Sequence, residues 1–215
     1  TNGSPTVMMM FLFRMNLHRI IERESPSGFT MAQPPFPCFA WRSGDPVDAK
    51  SLLGTFLELR PNSQWVMVGD GCIQSDLQLW TAWMCASRRW IRKSSLARSL
   101  DAEFLRYLSG THHVSEAFKR AGVRDADLAG FVLFLPEATA TDDTQTDCQA
   151  VKYDFEEVQS QATSMFSQLE LEADDKGYVL SKTGAIRLGM KFEFEHEVLT
   201  ESALLGHILS SEFTS

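Results

Sequence analysis

Apolar positions along the chain fall into short blocks with two different periods. "CFAWR" (38–42), "WVMV" (65–68) and "FVLFLP" (131–136) are compact runs of strand length, the second ended by the Gly69-Asp70-Gly71 turn. Other blocks recur at helical spacing. Leu77, Trp80, Trp83, Met84 and Ile91 predict a helix running to about Lys93, capped by Ser75 or Asp76. Phe155, Val158, Ala162, Met165, Phe166 and Leu169 make one apolar helix face. A last helix from Glu201 to about Ser210 is expected to bury Ala203, Leu204, Leu205, Ile208 and Leu209. A helix from Pro46 to Glu58 follows "SGDP", with Asp45 as cap. Ser99 to Leu108 fits another helix; Ser109-Gly110-Thr111 breaks it, and Thr111 caps a further helix to Ala121, stopped by Gly122. "GYVLS" and the alternating "KFEFEHE" read as strands, the second half-exposed. "EATATDDTQTDCQ" gives a polar, acidic loop over about 137–150. This irregular alternation predicts an α+β chain: a single domain with helices packed on a small mixed or antiparallel sheet.

The first thirty residues break the pattern. The apolar run Val7 to Phe13 ends at Arg14, far short of the about 20 residues a membrane span needs. Charge follows the run instead of preceding it, the wrong order for a signal peptide. Residues 1–30 therefore read as an extension outside the domain, with a short amphipathic helix over Met9 to Glu22 as the one element they suggest. "MAQPPFPCF" at Met31 would make a natural start, so the domain is taken as 31–215. No membrane association is expected.

Charge changes this picture more than composition does. The formal net charge is −8, which on its own disfavours a polyanion as partner. The window from Arg88 to Arg124, however, has nine basic and three acidic residues. It nets +6 and the rest of the chain −14. A solvated helix face explains such a run as well as a binding strip does. Contact-range charges dominate beyond a screening length of roughly 8 Å, so a positive strip on a negative body can dock a polyanion. Cys38, Cys72, Cys85 and Cys148 include no C-x-x-C pair, which argues against a structural zinc site and fits a reducing, cytoplasmic setting.

Little in the chain looks catalytic. Adjacent helix residues point about 100° apart, so His112 and His113 do not chelate as an i, i+4 pair would. "YLSGT" lacks a nucleophile elbow, and "GDGCIQSD" lacks the spacing and Lys-Ser/Thr end of a phosphate loop. A small metal-assisted or acid–base enzyme using His112 and His113 stays open as an alternative, as does a protein–protein scaffold. A helix starting at Thr111 would leave N–H groups of residues 112–114 free to hold an anion, with His112 and His113 beside them. Arg88, Arg89, Arg92, Lys93 and Arg98 would extend that site into a strip for a phosphodiester chain. Trp90, flanked by arginines, could stack on a base; Trp80 and Trp83 read as core.

"SSLARSLDAEFLRYLSGTHHVSEAFKRAGV" followed by "FVLFLPE" resembles the PRPK-binding protein family, the small kinase-binding subunits of the KEOPS complex. The likeness rests on Arg98, Leu100, Glu103, Leu108-Ser109-Gly110-Thr111, Val114-Ser115-Glu116-Ala117-Phe118, Gly122-Val123 and Phe131 to Leu135. It is strong over about 65–136, fair over 36–64 and recognisable again at "MKFEFEHEVLTESALLGHIL". At His112-His113 the chain departs from the Arg-Gln common in archaeal members. The resemblance implies a non-catalytic subunit without a cofactor. It would bind the PRPK-like kinase and the single-stranded 3′ end of tRNA, supporting threonylcarbamoyladenosine formation in the cytoplasm, and in the nucleus if the source is eukaryotic. Arg88, Arg89, Arg92, Lys93, Arg98, Thr111, His112 and His113 are the expected tRNA contacts.

Overall fold

The computed structural model describes residues 35–141, 147–175, 177–194 and 196–211. The expected 1–30 extension and its Met9–Glu22 helix lie outside them. Among the described residues there are six strands and seven helices: β1 (Cys38–Arg42), α1 (Ala49–Leu59), β2 (Trp65–Gly69), α2 (Asp76–Ile91), α3 (Leu100–Leu108), α4 (Val114–Ala121), β3 (Ala129–Phe134), β4 (Ala138–Ala140), β5 (Cys148–Ala150), α5 (Phe155–Gln168), β6 (Glu172–Asp174), α6 (Lys182–Arg187) and α7 (Glu201–Ser210). The fold is α+β, as expected.

Four strands form an antiparallel sheet in the order β2-β3-β1-β6. Its pleat sends alternate side chains to two cores. Trp41, Trp65, Met67 and Val132 face Phe56 of α1 and Val158, Ala162, Met165 and Phe166 of α5. Val66, Val68, Phe131 and Leu133 face the larger core, shared with α2, α3, α4 and α7. Helices on both faces explain why β2 is buried at every position and reads as an uninterrupted apolar run. Trp80 and Trp83 sit in that larger core, edge to face, with the Trp83 indole N–H donating to the Pro136 carbonyl at 2.9 Å.

Four expectations need correction. Helix α1 starts at Ala49, not Pro46, and its cap is Asp48, whose Oδ1 accepts from Ser51 N–H at 2.7 Å. Val47 is held off the helix by bonds to Asp127 and Ala126. Helix α4 starts at Val114 with His113 as cap, because both the N–H and the carbonyl of Thr111 are spent on Arg106. The expected 137–150 loop contains the paired strands β4 and β5, Ala138–Ala140 against Cys148–Ala150. "GYVLS" and "KFEFEHE" form no strands among the described residues. Ser181 N–H donates to Gln74 Oε1 and Glu193 N–H to Glu197 Oε2, so side chains take the bonds a sheet would need.

The "GDGCIQSD" turn has a structural task. Gln78 accepts from Gln74 N–H and donates to the Cys72 carbonyl; Gln74 in turn accepts from Ser181 N–H. Gly184 packs so closely that a Cβ there would lie 2.1 Å from the Gly71 carbonyl oxygen. This amide chain and glycine contact seat α6 on the turn. Arg187 completes the joint with two 2.7 Å bonds to Asp127.

Candidate nucleic-acid interface

The basic window divides into three environments. At the end of α2, Arg88 and Arg89 are half-buried and Trp90, Arg92 and Lys93 exposed; Arg98 is exposed in the segment that follows. The helix closes in a six-to-one, five-to-two pattern of hydrogen bonds: Ser94 N–H to the Arg89 carbonyl at 2.9 Å and Lys93 N–H to the Trp90 carbonyl at 3.0 Å. Lys93 carries the left-handed residue of that motif, at φ +54°. Arg88 Nη2 lies 3.0 Å from Asp147 Oδ1, and Arg92 Nε donates to the Arg88 carbonyl.

Arg106 belongs to the interior. Its side chain and that of Glu103 are both 0% exposed, and Nη2 lies 2.7 Å from Oε1. Glu103 Oε2 also accepts from the N–H groups of Leu96 and Ala97, and Arg106 Nη1 donates to the Thr111 carbonyl. Burial works against the Arg106 charge, but the hydrogen bond and charge of Glu103 outweigh it and leave its pKa raised. This pair anchors the α2–α3 segment and the α3–α4 turn to one helix. The pair takes one cation and one anion out of the surface, so the net charge of the Arg88–Arg124 window stays at +6.

The third group lies at the end of α4. Lys119 and Arg124 are exposed. Arg120 pairs with Glu116 at 2.9 Å and donates to the Ser109 carbonyl at 3.0 Å.

The α3–α4 turn differs from expectation. Thr111 is 7% exposed, and its Oγ1 accepts from His113 N–H at 3.2 Å. It neither caps the helix nor faces outward. The helix start, and any free N–H groups, move to residues after His113. His112 is half-buried and His113 exposed. Gly110, at φ +56°, sits over His207 of α7. Nε2 of that ring is 3.1 Å from the Leu188 carbonyl, and the ring also bonds the Ser109 carbonyl. Burial pushes its pKa below the ordinary value.

Nothing in these surroundings activates a nucleophile. Burial pushes the Cys72 thiol up to about 12 and raises Cys38 and Cys148 as well. Among the described residues no group of three or more histidines, cysteines and carboxylates could hold a metal, and no helix is long and apolar enough to cross a membrane.

A family profile described as kinase binding protein CGI-121 matches residues 47–196, from just before α1 to beyond α6. The chain belongs to the CGI-121 family. No curated protein matches it. The matched span includes every basic residue of the strip and Asp147, which pairs with Arg88. Within the CGI-121 match, the Glu103–Arg106 pair and the Gly110 turn give the stretch "RSLDAEFLRYLSGT" a structural task.

Two site features escaped sequence reasoning. Glu103 and Arg106 stand three apart on one helix, which signals a pair but not its burial. Asp147 meets Arg88 from 59 positions away, and no local signal marks that contact.

Proposed function

We propose that this CGI-121 protein is a non-catalytic KEOPS subunit that binds a PRPK-like kinase and holds tRNA by its 3′ end, supporting threonylcarbamoyladenosine formation in the cytoplasm and, in a eukaryote, the nucleus. The family match carries the kinase half, since the family is described as kinase-binding. A protein contact needs exposed apolar surface. Among the described residues, six of the fourteen large exposed apolar side chains (Val179, Leu180, Ile186, Phe194, Val198 and Leu209) lie in the stretch 177–211, which makes it the first region to test. The nucleic-acid half is supported by the end of α2, where Arg92, Lys93 and Arg98 are exposed beside Arg88 and Arg89 with a 41% exposed Trp90 among them.

Affinity capture of the full chain tests both halves: a PRPK-like kinase and tRNA come down together. Retention of tRNA without kinase overturns the kinase half. Retention of kinase without tRNA leaves a protein–protein scaffold. For the strip, Arg88→Glu, Arg89→Glu and Arg92→Glu together weaken tRNA binding by at least about tenfold and flatten its log–log salt dependence by about 2. Native affinity in that variant overturns the strip.

A further inference from the structure

Asp147 is built to meet Arg88. Its backbone carbonyl accepts from Thr141 N–H at 3.2 Å, closing the β4–β5 ribbon. Its Oδ1 accepts from Cys148 N–H at 2.9 Å. Cys148 Sγ lies 3.9 Å from the Met84 carbonyl, which seats the ribbon on α2 one turn before Arg88. The carboxylate is therefore fixed in place before any ligand arrives, 3.0 Å from Arg88 Nη2. Both side chains remain partly in water, 34% exposed for Arg88 and 56% for Asp147. A pair this wet is weak and exchangeable, and a phosphate presents a stronger, forked acceptor to a guanidinium.

We propose that Asp147 is a built-in competitor for the phosphodiester backbone at Arg88, so that Arg88 is held by the carboxylate in the free protein and passes to a phosphate when RNA binds. This rests on the nucleic-acid reading above. The exchange sets the affinity of the strip. A polyanion that reaches Arg88 displaces the carboxylate, while one that touches only the outer arginines leaves the Arg88–Asp147 pair intact and gains nothing from Arg88.

Asp147→Asn keeps an oxygen for the Cys148 N–H and removes the charge. In titrations of the full chain with unfractionated tRNA, it raises affinity about two- to fivefold and steepens the log–log salt slope by about 0.7–0.9. In an Arg88→Gln background the same substitution brings no gain. Unchanged affinity in Asp147→Asn, while the triple arginine variant still loses binding, overturns the competitor and leaves the nucleic-acid reading standing. An equal gain in the Arg88→Gln background also overturns it, because the effect is then one of general charge. Native binding by the triple arginine variant overturns both.

Discussion

The ends of α2 and α3 share one backbone motif and put it to different uses. Both close with the same pair of hydrogen bonds around a left-handed residue: Lys93 after α2, Gly110 after α3. After α2 the arginines stay at the surface and the strained position carries a lysine. After α3 the arginine turns inward to Glu103, and glycine fills the strained position because α7 leaves no room for a side chain. The charge of a window thus says little until each cation is placed. One end leaves Arg92 and Lys93 exposed to solvent; the other consumes its cation in holding the fold.

The strongest way to break this contrast is Arg106→Met. It leaves Glu103 buried without its cation and should cost about 3–5 kcal/mol in urea unfolding. Adding Glu103→Gln should recover part of that loss, since a neutral amide can still accept from Leu96 and Ala97. A loss below about 1 kcal/mol for Arg106→Met would place Arg106 with the surface cations instead. Next comes Gly110→Ala. The left-handed backbone costs a Cβ about 1–2 kcal/mol, and that Cβ would fall 2.4 Å from a His207 ring anchored between two carbonyls. A total near 2 kcal/mol is expected from thermal unfolding.

His207 adds a pH dependence to the α3 end. Its folded pKa is lowered, so the unfolded chain takes up the proton more readily. Its contribution is complete above the ordinary histidine value near 6.5 and is lost as pH falls below it. The melting temperature should drop between pH 7 and pH 5, and the drop should be shallower in His207→Gln. Equal slopes would remove His207 as the cause. The smallest effect belongs to the α2 end: Lys93→Gly should stabilise by about 0.5–1 kcal/mol, the relief of left-handed strain less the entropy of glycine. Destabilisation there would show that the Lys93 side chain supports the fold, and the contrast between the two ends would fail.

Local signals in the sequence were enough for most of the fold. Ser75 caps its helix through a side-chain bond to Gln78, as expected, and the apolar spacing of α2, α5 and α7 placed their buried faces at Trp80, Trp83, Val158, Ala162, Leu204 and Ile208, while Leu77, Phe155, Ala203 and Leu209 at the margins of those faces are exposed. Errors arose where a distant group took over a backbone bond. Arg106 claimed the Thr111 carbonyl and delayed α4; Asp127 and Ala126 claimed Val47 and delayed α1. "KFEFEHE" has the right alternation, but its Phe194 is exposed and Glu193 and Glu197 bond to each other. For the site, the end of α2 was legible as a basic run. The inward turn of Arg106 and the arrival of Asp147 depend on tertiary packing and leave no mark in local spacing.

The order of the sheet has a consequence for how the chain acquires its shape. β1 pairs with β3 in a register running from Arg42↔Ala129 to Cys38↔Leu133, and β3 lies between β1 and β2 in the sheet. The central strand thus comes late, after four helices have been made. Such distant pairing has high contact order and slows folding. During synthesis, β1, β2 and the four helices made before β3 must wait without a sheet until β3 emerges to join the two strands. That interval is where a chaperone would be needed most, and where substitutions in β3 would reduce yield before they changed any property of the finished protein.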